Sequence, residues 1–189
     1  MAVQTTALAG GVTLTLEAFA DTIVPGETRG PGDRAIAGVM AGAGAVVAGA
    51  LELIANPATG IAEGLPELAS ALNEHAQAYA KDLELILDSS LPPFTALAFD
   101  HRTAIVRKLL APGHPEKDLW VLLALFCFMA FDTGAHMHTA DAMAAGHPGL
   151  ATMGFAHPDA DGLWRFADFS YGRQLASVHQ DTTPAGDPA

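Results

Sequence analysis

"PELASALNEHAQAYAKDLELILDSS" (residues 66–90) carries Leu68, Leu72, Tyr79, Leu83, Ile86 and Leu87 at three- and four-residue spacing. That spacing places the six side chains on one stripe of an α-helix, the stripe a globular protein buries. Pro66 suits a first-turn position, because the first amides of a helix have no partner within it. Much of the rest is Ala, Glu, Lys and Gln, which favour helix. His75 falls on or beside the stripe, where an imidazole is ordinarily a hydrogen-bonded boundary residue. The stretch predicts a helix over 66–90 and an all-α class for the fold.

Working outward, "LPPFTALAF" (91–99) breaks the pattern at two prolines. Asp100 then stands where it would cap a short helix with apolar positions Ile105, Val106, Leu109 and Leu110. After the connection "APGHPEKD" (111–118), "LWVLLALFCFMAF" (119–131) is apolar on every side. It reads as a core helix, too short to span a bilayer. Upstream, "TLTLEAFADTIVPG" (13–26) reads as a helix ending at Pro25. Thr13 or Thr15 would cap it, and Leu16, Phe19 and Ile23 would form its buried face. The turn-rich "GETRGPGDR" (26–34) leads into "AIAGVMAGAGAVVAGALELIA" (35–55), whose Gly38–Gly42 spacing predicts a buried helix packed closely at the centre of the domain. Gly42-Ala43-Gly44 lacks the preceding strand and following Lys-Ser/Thr of a phosphate loop. "NPATGIAEGLP" (56–66) is a further loop.

The expected architecture is a compact bundle of five to six helices with a long, ordered C-terminal loop segment. That segment would hold one short helix near 172–179. The boundaries are a flexible N-terminus over 1–12, a single helical domain over 13–179 and a disordered tail over 180–189.

Composition limits the partners. The 189-residue chain has 21 acidic and 9 basic residues, for a formal charge of −12. This acidic surface repels nucleic acid and anionic membranes, which makes both poor partners. Cys127 is the only cysteine, so no intrachain disulfide forms, and its apolar surroundings suit a small packed hydrophobe. The N-terminal residues hold no basic cluster and no sustained apolar run, so the expected location is the cytoplasm.

Chemistry-bearing side chains concentrate in "FDTGAHMHTADAMAAGHPG" (131–149). In an unbroken helix Asp132 and His136 share one face, and His138 and Asp141 share another roughly opposite. His136 and His138 then cannot chelate one ion unless Gly134 breaks the helix. With a break, His136, His138 and His147, with Asp132 or His157, would be of a type suited to zinc or iron. Asp132, His136 and His138 are also the candidates for general acid–base work. Asp159 and Asp161 suit turn positions, and Asp168 a cap. Further on, Phe155, Trp164, Phe166, Phe169 and Tyr171, with Arg165 and Arg173, could pack as a satellite core. The same residue types could instead form a partner-binding patch.

Three stretches resemble a known family. "LEAFADTIVPG" (16–26), followed by the Gly/Pro/Asp/Arg loop and an apolar helix, resembles the N-terminal motif of the gluconate 2-dehydrogenase subunit 3 family. "FTALAFDHRTAIVRKLL" (94–110) resembles that family's aromatic and arginine-bearing helix. "GHPGLATMGF" (146–155) is similar to its late Gly/Pro/aromatic loop. The resemblance implies a small helical accessory subunit, without catalytic residues or cofactor of its own. It would support the folding or stability of a large flavin-dependent dehydrogenase of the glucose–methanol–choline class, with FAD in that partner. Two departures mark a divergent, leaderless branch: the chain lacks the twin-arginine leader found in many members, and the 131–149 histidines lie outside the family pattern. The alternative is a small stand-alone enzyme acting on a hydrophobic substrate through a His/Asp site, with or without a metal. A homo-oligomer stays open under either reading.

Overall fold

The computed structural model describes residues 10–33 and 40–155. Among them there is no strand, and eight α-helices follow in order. These are α1 (Gly10–Ile23), α2 (Ala50–Ile54), α3 (Leu65–Asp82), α4 (Pro93–Ala96), α5 (Phe99–Leu109), α6 (Lys117–Thr133), α7 (Thr139–Ala144) and α8 (Pro148–Thr152). Two short 3-10 turns, Pro57–Thr59 and Ala62–Gly64, link α2 to α3. The all-α expectation holds. The expectations for Gly38, for the aromatic segment beyond Phe155, for the helix near 172–179 and for the 180–189 tail lie outside the described residues.

The centre of the bundle is α1. It packs against α2, α3, α4, α5 and α6, and Thr15, Leu16, Ala18, Phe19, Ala20 and Asp21 are all buried. Phe19 meets the indole of Trp120 from α6, with ring centroids 6.0 Å apart. Leu65, Leu72, Phe94 and Leu109 complete the interior around that pair, each contributing roughly 2 kcal/mol through burial of its side chain. Buried polar groups stitch the helices in one register. Asn73 on α3 donates to the Thr15 hydroxyl at 3.1 Å and accepts from the Phe94 amide at 3.0 Å. The Thr95 hydroxyl donates to the Leu14 carbonyl at 3.0 Å.

The central helix expected over 35–55 is interrupted in the part of it that is described, residues 40–55. Residues 40–49 hold no helix, and among the described residues of that span only Ala50–Ile54 is helical. Gly42 and Gly49 adopt φ of +87° and +88°, left-handed values that interrupt a right-handed helix. The freed backbone pairs instead with the chain after α1. Glu27 N donates to Gly42 O at 2.8 Å, and Ala45 N to Val24 O at 2.9 Å. The small residues bring two loops together here rather than two helices.

The 66–90 helix stops eight residues early, at Asp82. Leu85 N donates to Ala80 O at 2.8 Å and Glu84 N to Lys81 O at 3.2 Å, the paired bonds of a Schellman terminus. Glu84 takes the left-handed position, φ 54°, that glycine ordinarily fills. Leu68 and Leu72 are buried as expected, but Ile86 is 99% exposed. Asp100 lies in the first turn of α5 rather than at its cap, which is Ala98. Ile105, Val106 and Leu109 are buried as their spacing implies.

Candidate functional site

Helix α6 ends at Thr133, and Gly134 caps it in the left-handed conformation. The break that a shared histidine site requires is therefore present. The side chains nevertheless go to different places. His138 becomes the N-cap of α7, its Nδ1 accepting from the Ala140 amide at 3.4 Å, and Asp141 stands in the first turn of that helix. His147 is the buried N-cap of α8: its Nδ1 accepts from Leu150 N at 3.3 Å, and its Nε2 donates to Ala48 O at 2.9 Å. Both ring nitrogens are thus engaged, the pattern of an Nε2–H tautomer. His136 lies against Gly49, where a Cβ would come within 2.3 Å of its Cε1, and its ring centroid is 5.6 Å from that of His147.

Together, His136 and His147 grip the Ala48–Gly49 turn that precedes α2. Burial first, and then the proximity of His147, pushes the His136 pKa below its usual value, with Glu52 pulling the other way. Its Nδ1, and Oδ1 of Asp132 in the last turn of α6, are buried without a hydrogen-bond partner among the described residues. No three His, Cys, Asp or Glu side chains among the described residues gather to hold an ion.

A second polar cluster gave no signal in the sequence beyond the four-residue spacings of Glu17–Asp21 and Arg29–Asp33. Asp21 on α1 has 0% side-chain exposure, and its Oδ2 accepts from Arg29 Nη2 at 3.2 Å. Arg29 also holds Asp33 through both carboxylate oxygens, at 2.8 and 3.0 Å, and approaches Glu17 at 3.9 Å. The buried Arg102 from α5 faces the same carboxyl and reaches Ala18 O at 3.4 Å. Burial pushes the Asp21 pKa up to about 7, against the pull of Arg29 and Arg102 and with the help of Asp33 and Glu17. A carboxyl near neutrality could act as an acid or a base, but this one has no solvent-exposed surface to offer a substrate. Its arrangement fastens the 24–33 loop to α1.

The largest departure from expectation lies on α6. Trp120, Leu123, Ala124, Cys127 and Ala130 form its buried face. The outward side is apolar as well: Val121, Leu125 and Phe128 are exposed, the last two at 49% and 48%, and Leu119 is exposed on another flank of the first turn. No charged residue interrupts positions 119–131. Phe155, the one partner-patch candidate within the described residues, is also exposed. Trp164, Arg165, Phe166, Phe169, Tyr171 and Arg173 lie outside them. Cys127 is fully enclosed, and burial pushes its thiol up to about 12, which leaves it inert as a nucleophile near neutral pH.

Residues 11–189 match a family of unknown function, DUF5987. The chain belongs to DUF5987. The DUF5987 match covers the Asp21 cluster, the outward side of α6, the histidine-held turn and the aromatic segment beyond Phe155. No curated protein and no solved structure matches the chain.

Proposed function

We propose that this DUF5987 chain is a non-catalytic accessory subunit of a flavin-dependent sugar or alcohol oxidoreductase, and supports the folding or stability of that larger partner. The observation that carries the reading is the outward side of α6. Val121, Leu125 and Phe128 offer water a row of large apolar side chains along one helix. Contiguous patches of this kind mark surfaces that another protein covers. The likeness of residues 16–26, 94–110 and 146–155 to the gluconate 2-dehydrogenase subunit 3 family supplies the class of partner. FAD belongs to the partner in this reading, and the small chain needs no cofactor. The stand-alone-enzyme reading draws less support, because His147 spends both ring nitrogens on a helix cap and a backbone carbonyl, and His138 spends its Nδ1 on a helix cap.

The test is affinity purification of the full chain from its native host, with flavin and metal analysis of what co-elutes. A large flavin-bearing protein in stoichiometric amount is the expected result. A chain that elutes alone as a well-behaved monomer overturns the reading.

A further inference from the structure

A groove of about 470 Å³ opens beside the first turn of α6, walled by the turns at 60–64 and the N-terminal half of α3. Its lining is largely apolar, with Ile61, Leu68 and Leu119 contributing, and it carries two carboxylates, Glu67 and Glu116. Among the described residues no Lys, Arg or His lines it. Glu116 is held in place on one side only. Its Oε2 accepts from the indole N–H of buried Trp120 at 2.9 Å and pairs with His75 Nε2 at 2.8 Å. Those two bonds hold its carboxyl below the usual range, so it is ionised at neutral pH. Its Oε1 has no partner among the described residues.

The groove is thus an apolar trough with a pre-positioned anion at its edge. Leu119 leaves α6 on the flank away from Val121, Leu125 and Phe128, so the trough is a separate feature from the exposed row, at the N-terminal end of the same helix. We infer that the groove receives a lysine or arginine side chain of the partner protein, its aliphatic stem against Leu68 and Leu119 and its cation on Glu116. This assignment rests on the accessory-subunit reading. Charge selects the occupant: two carboxylates line the trough, with no Lys or Arg among its described lining. The imidazoles of His75 and His114 stand behind Glu116 rather than in the trough. Long basic side chains carry the apolar stem that such a trough buries.

Two variants of the full chain test it against the flavin-bearing protein that co-purifies with wild type, by calorimetric titration at low and moderate salt. Glu116→Gln keeps an acceptor for the Trp120 indole and removes the charge. Gly64→Phe sends a ring into the groove from a position whose φ is −89° and whose Cβ would meet open space. Unchanged circular dichroism and thermal unfolding establish that both variants fold. The expected result is affinity weakened by about tenfold or more in each variant, with a flatter salt dependence for Glu116→Gln. Wild-type affinity and salt dependence in both folded variants overturn the groove assignment and leave the accessory reading standing. Absence of any flavin-bearing partner on wild type overturns both.

Discussion

The Asp21 carboxyl is buried, with Arg29 on one oxygen and no partner among the described residues on the other. Burial outweighs the two arginines and holds its pKa near 7 instead of 3.8. An acid raised on folding contributes stability that is fully present below its unfolded pKa and lost as pH rises through its folded one. Wild-type stability should therefore fall between pH 5 and pH 8.5, by on the order of 3 kcal/mol. Asp21→Asn should remove most of that slope, as read by urea unfolding at the two pH values. Gly49 is the second residue whose surroundings dictate its identity. It combines φ of +88° with the His136 ring where a Cβ would go. Gly49→Ala should cost about 2–3 kcal/mol, and adding His136→Ala should recover the steric part but not the backbone part. Neither position is legible in the sequence. Asp21 looks like a surface acid on an amphipathic helix, and Gly49 like one more small residue in a run of them.

At the scale of elements, spacing located the helices well and their ends poorly. The apolar stripe of α3 continues in the sequence past Asp82, and a glycine would have marked the stop. Glu84 occupies that place at φ 54°, with its side chain exposed to solvent. Glu84→Gly should relieve the strain and stabilise the protein by about 0.5–1 kcal/mol, net of glycine's greater freedom when unfolded. A higher thermal midpoint is the measurement, and an unchanged or lower one would show that the terminus is not strained. The same distinction explains α6. Thirteen consecutive residues without a charge identify a helix but not its surroundings, because burial depends on how many neighbours pack around it. Five residues of α6 face the core, while the other side meets solvent. The 40–49 stretch departs from its expected helix for a further reason. Alanine and glycine suit helices and tight loops alike, and two left-handed glycines decide for loops.

For the whole molecule, the exposed row on α6 carries a prediction that separates a docking surface from a stability element. Replacing Leu125 and Phe128 together with Asp should cost about 2–3 kcal/mol of unfolding free energy, since both side chains are half exposed, well short of the roughly 5–10 kcal/mol of two core deletions. The double variant should lose the flavin-bearing partner in a pull-down and gain solubility in the absence of that partner. A drop of that larger size would instead make the row part of the chain's own core. Composition and periodicity by themselves determined that the protein is helical and acidic. These properties follow from backbone preference and summed charge, which are written residue by residue. In the structure, no helix among the described residues is long and apolar enough to cross a membrane. Only the tertiary structure decided that α1 is the centre, that the histidines cap helices and grip a turn, and that an apolar helix keeps one side open to water. Each of those depends on which distant segment packs against a residue, and local spacing does not encode that choice.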